Sequence, residues 1–196
     1  MAEYRLFEEG TVPEYTQADW YAPRDSAPHI DQDAHRPRID AAIRQLNSIY
    51  TEGMSVVDLG AGDGGLLSLL TDVPPHLKWG YDLAPANVAV AVTRGQDVRY
   101  GNVFDGVQWG VVAVATEMIE HLLDPHGFVG LVSNHSTYLV ASSPCGETPD
   151  AHYPFHTWAW DLEGYAHMIR NNGWEIVSQE VVGGFQVILA KSTNLV

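Results

Sequence analysis

The feature that most constrains this chain is a short apolar run that leads directly into a glycine-rich turn. Residues 56–59 are apolar apart from Asp58, and they continue into Gly60-Ala61-Gly62-Asp63-Gly64-Gly65. Such a run is typical of a buried strand, and the glycines let the backbone turn tightly and approach a ligand without an intervening Cβ. Because ligands of open α/β sheets bind at the carboxyl ends of the strands, we expect a ligand site at this turn.

Two classes of ligand are compatible with the turn. It satisfies G-x-G-x-x-G, the pattern of dinucleotide-binding loops. Asp58 favours a different ligand, because a carboxylate two residues before the first glycine suits the cationic amino group of a methionine moiety better than a pyrophosphate. Asp82 ends the next apolar run, roughly 20 residues after the loop, where an acid accepts hydrogen bonds from ribose hydroxyls.

Strand and helix patterns alternate through most of the chain. Helical periodicity predicts helices over residues 37–50, 64–70, 86–92 and 162–172, and apolar runs predict strands over 54–59, 77–81, 97–100, 110–115 and 137–142. Two final strand-like runs, 174–182 and 185–191, are separated only by Gly183-Gly184, which predicts a hairpin. This order indicates a mostly parallel sheet that ends in an antiparallel pair.

Residues 1–35 are rich in proline, aspartate, histidine and aromatic side chains and show no helical period, so we interpret them as an irregular arm that forms a lid. The remaining residues, 36–196, are of ordinary size for a single domain.

The charge balance is strongly acidic. The chain carries 25 acidic and 10 basic residues, a formal net charge of −15, which repels phosphate backbones and argues against a broad nucleic-acid interface. Its densest basic cluster is Arg36 and Arg38 with His35. A single cysteine, Cys145, fits a reducing compartment, and no run approaches the roughly 18 apolar residues of a membrane span. We therefore expect a soluble, cytoplasmic protein.

Residues 36–191 resemble the class I S-adenosylmethionine (SAM)-dependent methyltransferases in the glycine loop, the two acids and the helix-then-hairpin ending. The resemblance implies an α/β, Rossmann-like fold: a seven-stranded, mostly parallel sheet with a C-terminal antiparallel hairpin and helices on both faces. It implies a methyltransferase domain over residues 36–196 and the activity of EC 2.1.1. The implied cofactor-binding residues are Arg38, Asp58, Gly60, Gly62, Gly64, Asp82, Leu83, Asn102, Val103 and Glu117.

Asn102 replaces the aspartate that many of these relatives place in a turn beside the adenine. Its side-chain carbonyl can still accept a hydrogen bond from the adenine amino group, without the charge. The alternative is that Asn102 is a plain turn residue.

The segment from Glu117 to His121 is similar to the Glu-x-x-Glu-His segment of the ubiquinone-pathway O-methyltransferases and of the small-RNA 3′-terminal 2′-O-methyltransferases. That resemblance implies a divalent metal (Mg, Mn or Zn) on Glu117, Glu120 and His121, and two carboxylates and an imidazole so close together do offer ligands to one ion. For a fourth ligand His156 is the first choice, because it stands four residues before Trp160 as in the RNA enzymes. His152 is the second choice. Alternatively, the second acid and the histidine only shape the cofactor pocket.

The arm resembles the N-terminal segment of the ubiquinone-pathway enzymes more loosely. There an arginine holds the SAM carboxylate, a role that falls here to Arg38, with Arg36 as its substitute. An ordinary arginine at a helix start is the alternative. An apolar cover over the acceptor is expected from aromatic residues, some of which belong to the core on the alternative interpretation: Trp20, Tyr21, Phe155, Trp158 and Trp160.

Together these features predict a SAM-dependent methyltransferase that acts on an oxygen of a small molecule, with a divalent metal as an aid. Without a metal, His121 or His156 would serve as general base. Three alternatives stay open: an RNA 2′-O-methyltransferase, a non-catalytic SAM-binding partner protein, and a nicotinamide dehydrogenase, which Asp58 and the terminal hairpin disfavour.

Overall fold

The computed structural model describes residues 1–26 and 28–195. Ala27, in the predicted arm, and Val196, the last residue of the predicted domain, lie outside the described residues. The strands are β1 (Glu3–Arg5), β2 (Val56–Leu59), β3 (Lys78–Asp82), β4 (Val98–Tyr100), β5 (Val112–Thr116), β6 (Tyr138–Pro144), β7 (Trp158–Trp160), β8 (Trp174–Val182) and β9 (Phe185–Ser192). The α-helices are α1 (Ala18–Tyr21), α2 (Arg36–Ile49), α3 (Gly65–Leu69), α4 (Pro85–Thr93), α5 (Pro125–Ser133) and α6 (Leu162–Asn171).

The main sheet has seven strands in the order β4-β3-β2-β5-β6-β9-β8. Strands β2 to β6 pair in parallel, whereas β9 is antiparallel to both β6 and β8. The fold predicted from the sequence is thus confirmed, including the C-terminal hairpin. The chain moves outward from β2 through β3 to β4 and then returns to β5 on the other side of β2. Such a reversal of strand order opens a crevice at the carboxyl ends of β2 and β5.

Both faces of the sheet are buried, because alternate residues of each central strand point to opposite sides. Val57 and Ala113 pack with the α5 residue Phe128 in one apolar core cluster. Val56 and the α2 residue Leu46 belong to the cluster on the other face. Helices therefore cover both faces, as predicted.

Four segments differ from the sequence-based expectation. Helix α5 and strand β7 were not predicted. The interpretation of residues 1–35 as irregular is wrong for helix α1 and for β1, whose Tyr4 pairs with Ala159 in an antiparallel ladder with β7. A three-residue strand with its partner more than 150 residues away carries no periodic signal. No helix among the described residues is long and apolar enough to cross a membrane.

Candidate active site

A cavity of about 1050 Å³ opens at the carboxyl edge of the sheet. Its wall includes the glycine loop after β2, the ends of β3 and β5, and the loop between β6 and β7. Residues of the predicted cofactor site and residues of the predicted metal site border this same space, among them Asp82, Asn102, His121 and His156. A ligand at the first site would therefore be in reach of a ligand at the second.

The glycine loop is fixed to the end of β3. The backbone nitrogens of Gly60 and Ala61 both donate to the Tyr81 carbonyl at 2.9 Å, and Gly62 N donates to Asp82 Oδ2 at 2.8 Å. Gly60, Gly62 and Gly64 have positive φ, between 56° and 80°. Gly60 also lies close to Met118, because a Cβ on it would stand 2.6 Å from the Met118 Cγ. Gly60 and Gly62 border the cavity, and Gly64 is the N-cap of α3.

Asp82 is held rigidly at the cavity wall. Its Oδ1 accepts hydrogen bonds from Ala84 N at 2.8 Å and from Asn87 Nδ2 at 3.2 Å. Burial raises the pKa of Asp82, and these hydrogen bonds and that from Gly62 oppose the rise. Leu83 lies beside it in the cavity wall. An oriented carboxylate with lone pairs to spare can accept hydrogen bonds from two adjacent hydroxyls.

Asp58 is buried beside a smaller cavity, of about 60 Å³, which Gly60, Gly62 and Arg38 also border. Its Oδ1 has no hydrogen-bond partner among the described residues. Burial raises the pKa of Asp58 to about 7; Asp82 adds to the rise and Arg38 opposes it. An orphaned buried carboxylate oxygen calls for a cation or a donor that is not part of the chain.

Arg38 stands in the first turn of α2 and is almost fully buried. Its Nε donates to His35 Nδ1 at 3.3 Å, and its Nη2 lies 3.3 Å from His29 Nδ1. The two imidazoles stack with their centroids 4.3 Å apart. Burial lowers the pKa of His29 to about 4, and the charges of His35 and Arg38 make smaller contributions in the same direction. Arg36, by contrast, forms an exposed ion pair with Asp40, so Arg38 is the arginine beside the cofactor loop.

The predicted adenine side of the cavity is formed by the turn after β4. Asn102 Oδ1 accepts a hydrogen bond from Phe104 N at 3.0 Å, as in an Asx turn. Asn102, Val103 and Phe104 all border the cavity. Asn102 thus stabilises the turn through its side chain and also borders the cavity.

Glu120, His121 and His156 form a compact group in which one ligand atom of each lies within 4.8 Å of the other two. His121 Nδ1 is bonded to the Phe155 carbonyl at 2.9 Å, and His156 Nδ1 to Glu147 Oε2 at 2.6 Å. Both rings therefore keep Nε2 for another partner. Glu120 is fully buried, and neither of its oxygens has a hydrogen-bond partner among the described residues.

Glu117 borders the cavity near this group but does not belong to it. Its φ of 55° is the one positive value among the described non-glycine residues. Such a conformation costs on the order of 1–3 kcal/mol and is typical of functional sites. The carboxylate accepts a hydrogen bond from Ser142 Oγ at 2.9 Å. Burial raises the pKa of Glu117 to about 7, whereas Arg38 opposes the rise. His152, the second choice for a ligand, also lies outside the group and contacts the Thr148 carbonyl at 3.1 Å.

Of the five aromatic residues expected to cover the acceptor, Trp20, Tyr21 and Phe155 border the cavity. The other two do not. Trp160 is fully buried in the apolar core, and Trp158 packs against that core. Strand β7 carries both rings; it pairs with β1 and packs against α6 and the segment Ile119–His121.

Several residues of this site were not predicted from the sequence, and two of them contact His156. Tyr153 is a further aromatic residue in the cavity wall, and Glu147 is the partner of His156. Tyr153 could have been found, since it lies between His152 and His156, the two histidines considered for the fourth ligand. Glu147 carries no such signal, because a lone acid in a loop resembles any surface carboxylate.

A doubly wound sheet with an antiparallel last strand, a glycine loop after β2 and acids at the ends of β2 and β3 define the class I SAM-dependent methyltransferases. Residues 32–179 match a protein family described as a methyltransferase domain, and the chain belongs to this family. No protein of curated function matches the sequence.

Solved structures share the fold at low sequence identity. Magnesium protoporphyrin IX methyltransferase from Synechocystis PCC 6803, with bound SAM, is 12% identical; the match covers 94% of this chain and 100% of that one, with a TM-score of 0.70. A SAM-dependent methyltransferase from Thermotoga maritima, described as a possible histamine N-methyltransferase, is 16% identical over 81% of this chain and 90% of its own, with a TM-score of 0.63. At these identities the likeness is one of fold.

Proposed function

We propose that the protein binds SAM and transfers its methyl group to an oxygen of a small-molecule acceptor, beside a divalent ion. The observation that carries this proposal is the shared cavity: Asp82 and Asn102 border it together with His121 and His156.

The cofactor residues fit SAM group by group. The orphaned Oδ1 of Asp58 suits the amino group of the methionine moiety, with Arg38 nearby for its carboxylate. Asp82 suits the ribose hydroxyls, and Asn102, Leu83 and Val103 suit the adenine. SAM supplies a methyl group already activated on a sulfonium.

Glu120, His121 and His156 fit a divalent ion, because the buried carboxylate of Glu120 has no hydrogen-bond partner among the described residues and both imidazoles are anchored through Nδ1. Glu117 is the candidate for a fourth ligand. One carboxylate and two imidazoles suit Mn or Zn better than Mg, which prefers oxygen ligands. An ion held there would act as a Lewis acid and lower the pKa of an acceptor hydroxyl.

The chain itself must align the acceptor and take up its proton. Trp20, Tyr21 and Phe155 offer flat apolar walls to a planar acceptor and exclude water from it. Without a metal, His156, paired with the Glu147 carboxylate, would be the better placed base. His121 would be a weaker one, because burial lowers its pKa to about 4.

Calorimetry with SAM and S-adenosylhomocysteine tests the cofactor assignment. Asp82→Ala should weaken binding by about 1–3 kcal/mol, roughly 5- to 150-fold, because charged hydrogen bonds to the ribose are lost. Asp72→Ala, at an exposed position, is the matched control and should bind like wild type. Tight binding of NAD without binding of SAM would contradict the proposal.

A further inference from the structure

Glu147 contacts His156 from outside the group of candidate ligands. We propose that Glu147 is a positioning residue: it holds the proton of the His156 imidazole on Nδ1 and so keeps the lone pair of Nε2 available to the Glu120 and His121 group. This inference rests on the proposed function, for which His156 is a ligand or a base.

Two hydrogen bonds fix the Glu147 carboxylate. Oε2 lies 2.6 Å from His156 Nδ1, and Oε1 accepts from Tyr153 N at 2.9 Å. The loop between is closed by a reciprocal pair of backbone hydrogen bonds between Thr148 and Ala151, at 3.0 and 3.1 Å. The closed turn and the two hydrogen bonds therefore hold the Glu147 carboxylate in one position.

A neutral imidazole carries one N–H, so its partner decides which nitrogen bears the proton. A carboxylate accepts, and it places the proton of His156 on Nδ1. The Phe155 carbonyl, which can only accept, does the same for His121 at 2.9 Å. Both rings thus keep Nε2 for another partner, in a group with Glu120, whose carboxylate has no hydrogen-bond partner among the described residues. Histidines that bind metals are oriented in this way by their outer partners.

Glu147→Gln separates this role from a purely structural one. The amide has one acceptor and one donor end, whereas Tyr153 N–H can only donate. If the amide oxygen keeps the bond to Tyr153, the NH₂ group faces His156 and moves the imidazole proton to Nε2. The variant therefore keeps the size of the side chain and the loop contact but inverts the tautomer.

The test is a two-bond ¹H–¹⁵N correlation spectrum of the histidine rings in the metal-free protein above pH 8. We expect a bare Nε2 on His156 in wild type and a protonated Nε2 in Glu147→Gln. Calorimetry with Zn²⁺ or Mn²⁺ alone should show binding about 10- to 100-fold weaker in the variant. Glu3→Gln is the matched control, since Glu3 accepts from Trp160 Nε1 at 2.8 Å and pairs with His126 at 3.0 Å, away from the cavity.

A proton on Nε2 of His156 in wild type would overturn the proposal, even if the variant does not fold. A folded Glu147→Gln variant that binds the metal as tightly as wild type would also overturn it. Thermal unfolding of each variant identifies a loss of fold. Failure of the proposed function is seen separately: a protein that binds no SAM contradicts that function, while the tautomer of His156 is measured without any ligand.

Discussion

At the scale of single residues, the site is a set of buried carboxylates whose charge the protein leaves partly uncompensated. Burial raises the pKa values of Asp58 and Glu117 to about 7 and that of Glu120 well above its ordinary value. Arg38 is the cation that opposes the rise at all three. The ligand-free site therefore favours a positively charged ligand. An amino group and a divalent ion both meet this requirement.

Asp58 should lower the stability of the ligand-free protein as the pH rises. Its pKa is about 7 in the folded state and about 3.9 when unfolded, so the folded state binds the proton more tightly and loses that advantage between roughly pH 4 and pH 7. Asp58→Asn removes the charge at nearly the same size. We expect the variant to match wild type near pH 4 and to exceed its stability at pH 8 by a few kcal/mol, on the order of 4 at most.

Urea unfolding of both ligand-free proteins at the two pH values measures this difference, and titrating groups that do not interact with Asp58 cancel in the comparison. A difference between variant and wild type that stays constant with pH would contradict the prediction. The same variant should bind SAM more weakly, since the partner of the amino group loses its charge.

Residue identities at the site were partly readable from the sequence. Asp58 and Asp82 stand at the ends of strong apolar runs, so their meeting at one sheet edge follows from the parallel order of the strands. His156 had to be chosen over His152 by spacing. The choice of Trp158 as a cavity residue was wrong, because pairing between β1 and β7 decides which side of the segment faces the core.

At the scale of elements, the pattern was readable where an apolar run is buried on both faces, as in β2, and where a glycine pair marks a turn, as between β8 and β9. Strand β2 and the hairpin of β8 and β9 were predicted within two residues of their observed ends. Helix α5 was missed because Gly127 and Gly130 lower its helix propensity. Its start carries a signal nonetheless, with Pro125 in the first turn and an Asp124 side chain that accepts from Gly127 N at 2.8 Å.

The glycine loop gives a prediction that separates backbone strain from steric conflict. Gly60→Ala places a Cβ at a φ of +80° and 2.6 Å from the Met118 side chain. Gly95→Ala meets a similar φ, +73°, with open space around the Cβ. Strain costs each variant about 1 kcal/mol. We expect Gly60→Ala to lose at least about 1 kcal/mol more and to bind SAM more weakly, as measured by urea unfolding and calorimetry. Equal losses of unfolding free energy in the two variants would show that the Met118 side chain moves aside at no measurable cost.

At the scale of the whole molecule, charge limits the acceptor. The net charge is −15, and the described residues that border the cavity include acids such as Glu117 and Asp124 but no lysine or arginine. A phosphate or carboxylate on the acceptor would meet like charge at the cavity wall. The class of fold followed from the sequence because it depends on the order of elements. The charge of the cavity did not, because it depends on which side chains the folded loops bring inward.

We therefore expect the protein to bind short RNA poorly and to prefer an uncharged or cationic planar acceptor with a hydroxyl group. Fluorescence anisotropy with labelled single-stranded and duplex RNA, at about 50 and 200 mM salt, should show no affinity in the sub-micromolar range at either concentration. A true RNA interface would instead lose affinity steeply with salt, by about 10³ or more for six phosphate contacts. Sub-micromolar binding with that salt dependence would contradict the small-molecule proposal and favour an RNA 2′-O-methyltransferase. Methyl transfer from labelled SAM to catechols but not to catechols that carry a phosphate on a side chain, measured with Mn²⁺ present, would support the small-molecule proposal, because both compounds keep both hydroxyls and the acidic lining distinguishes them by charge.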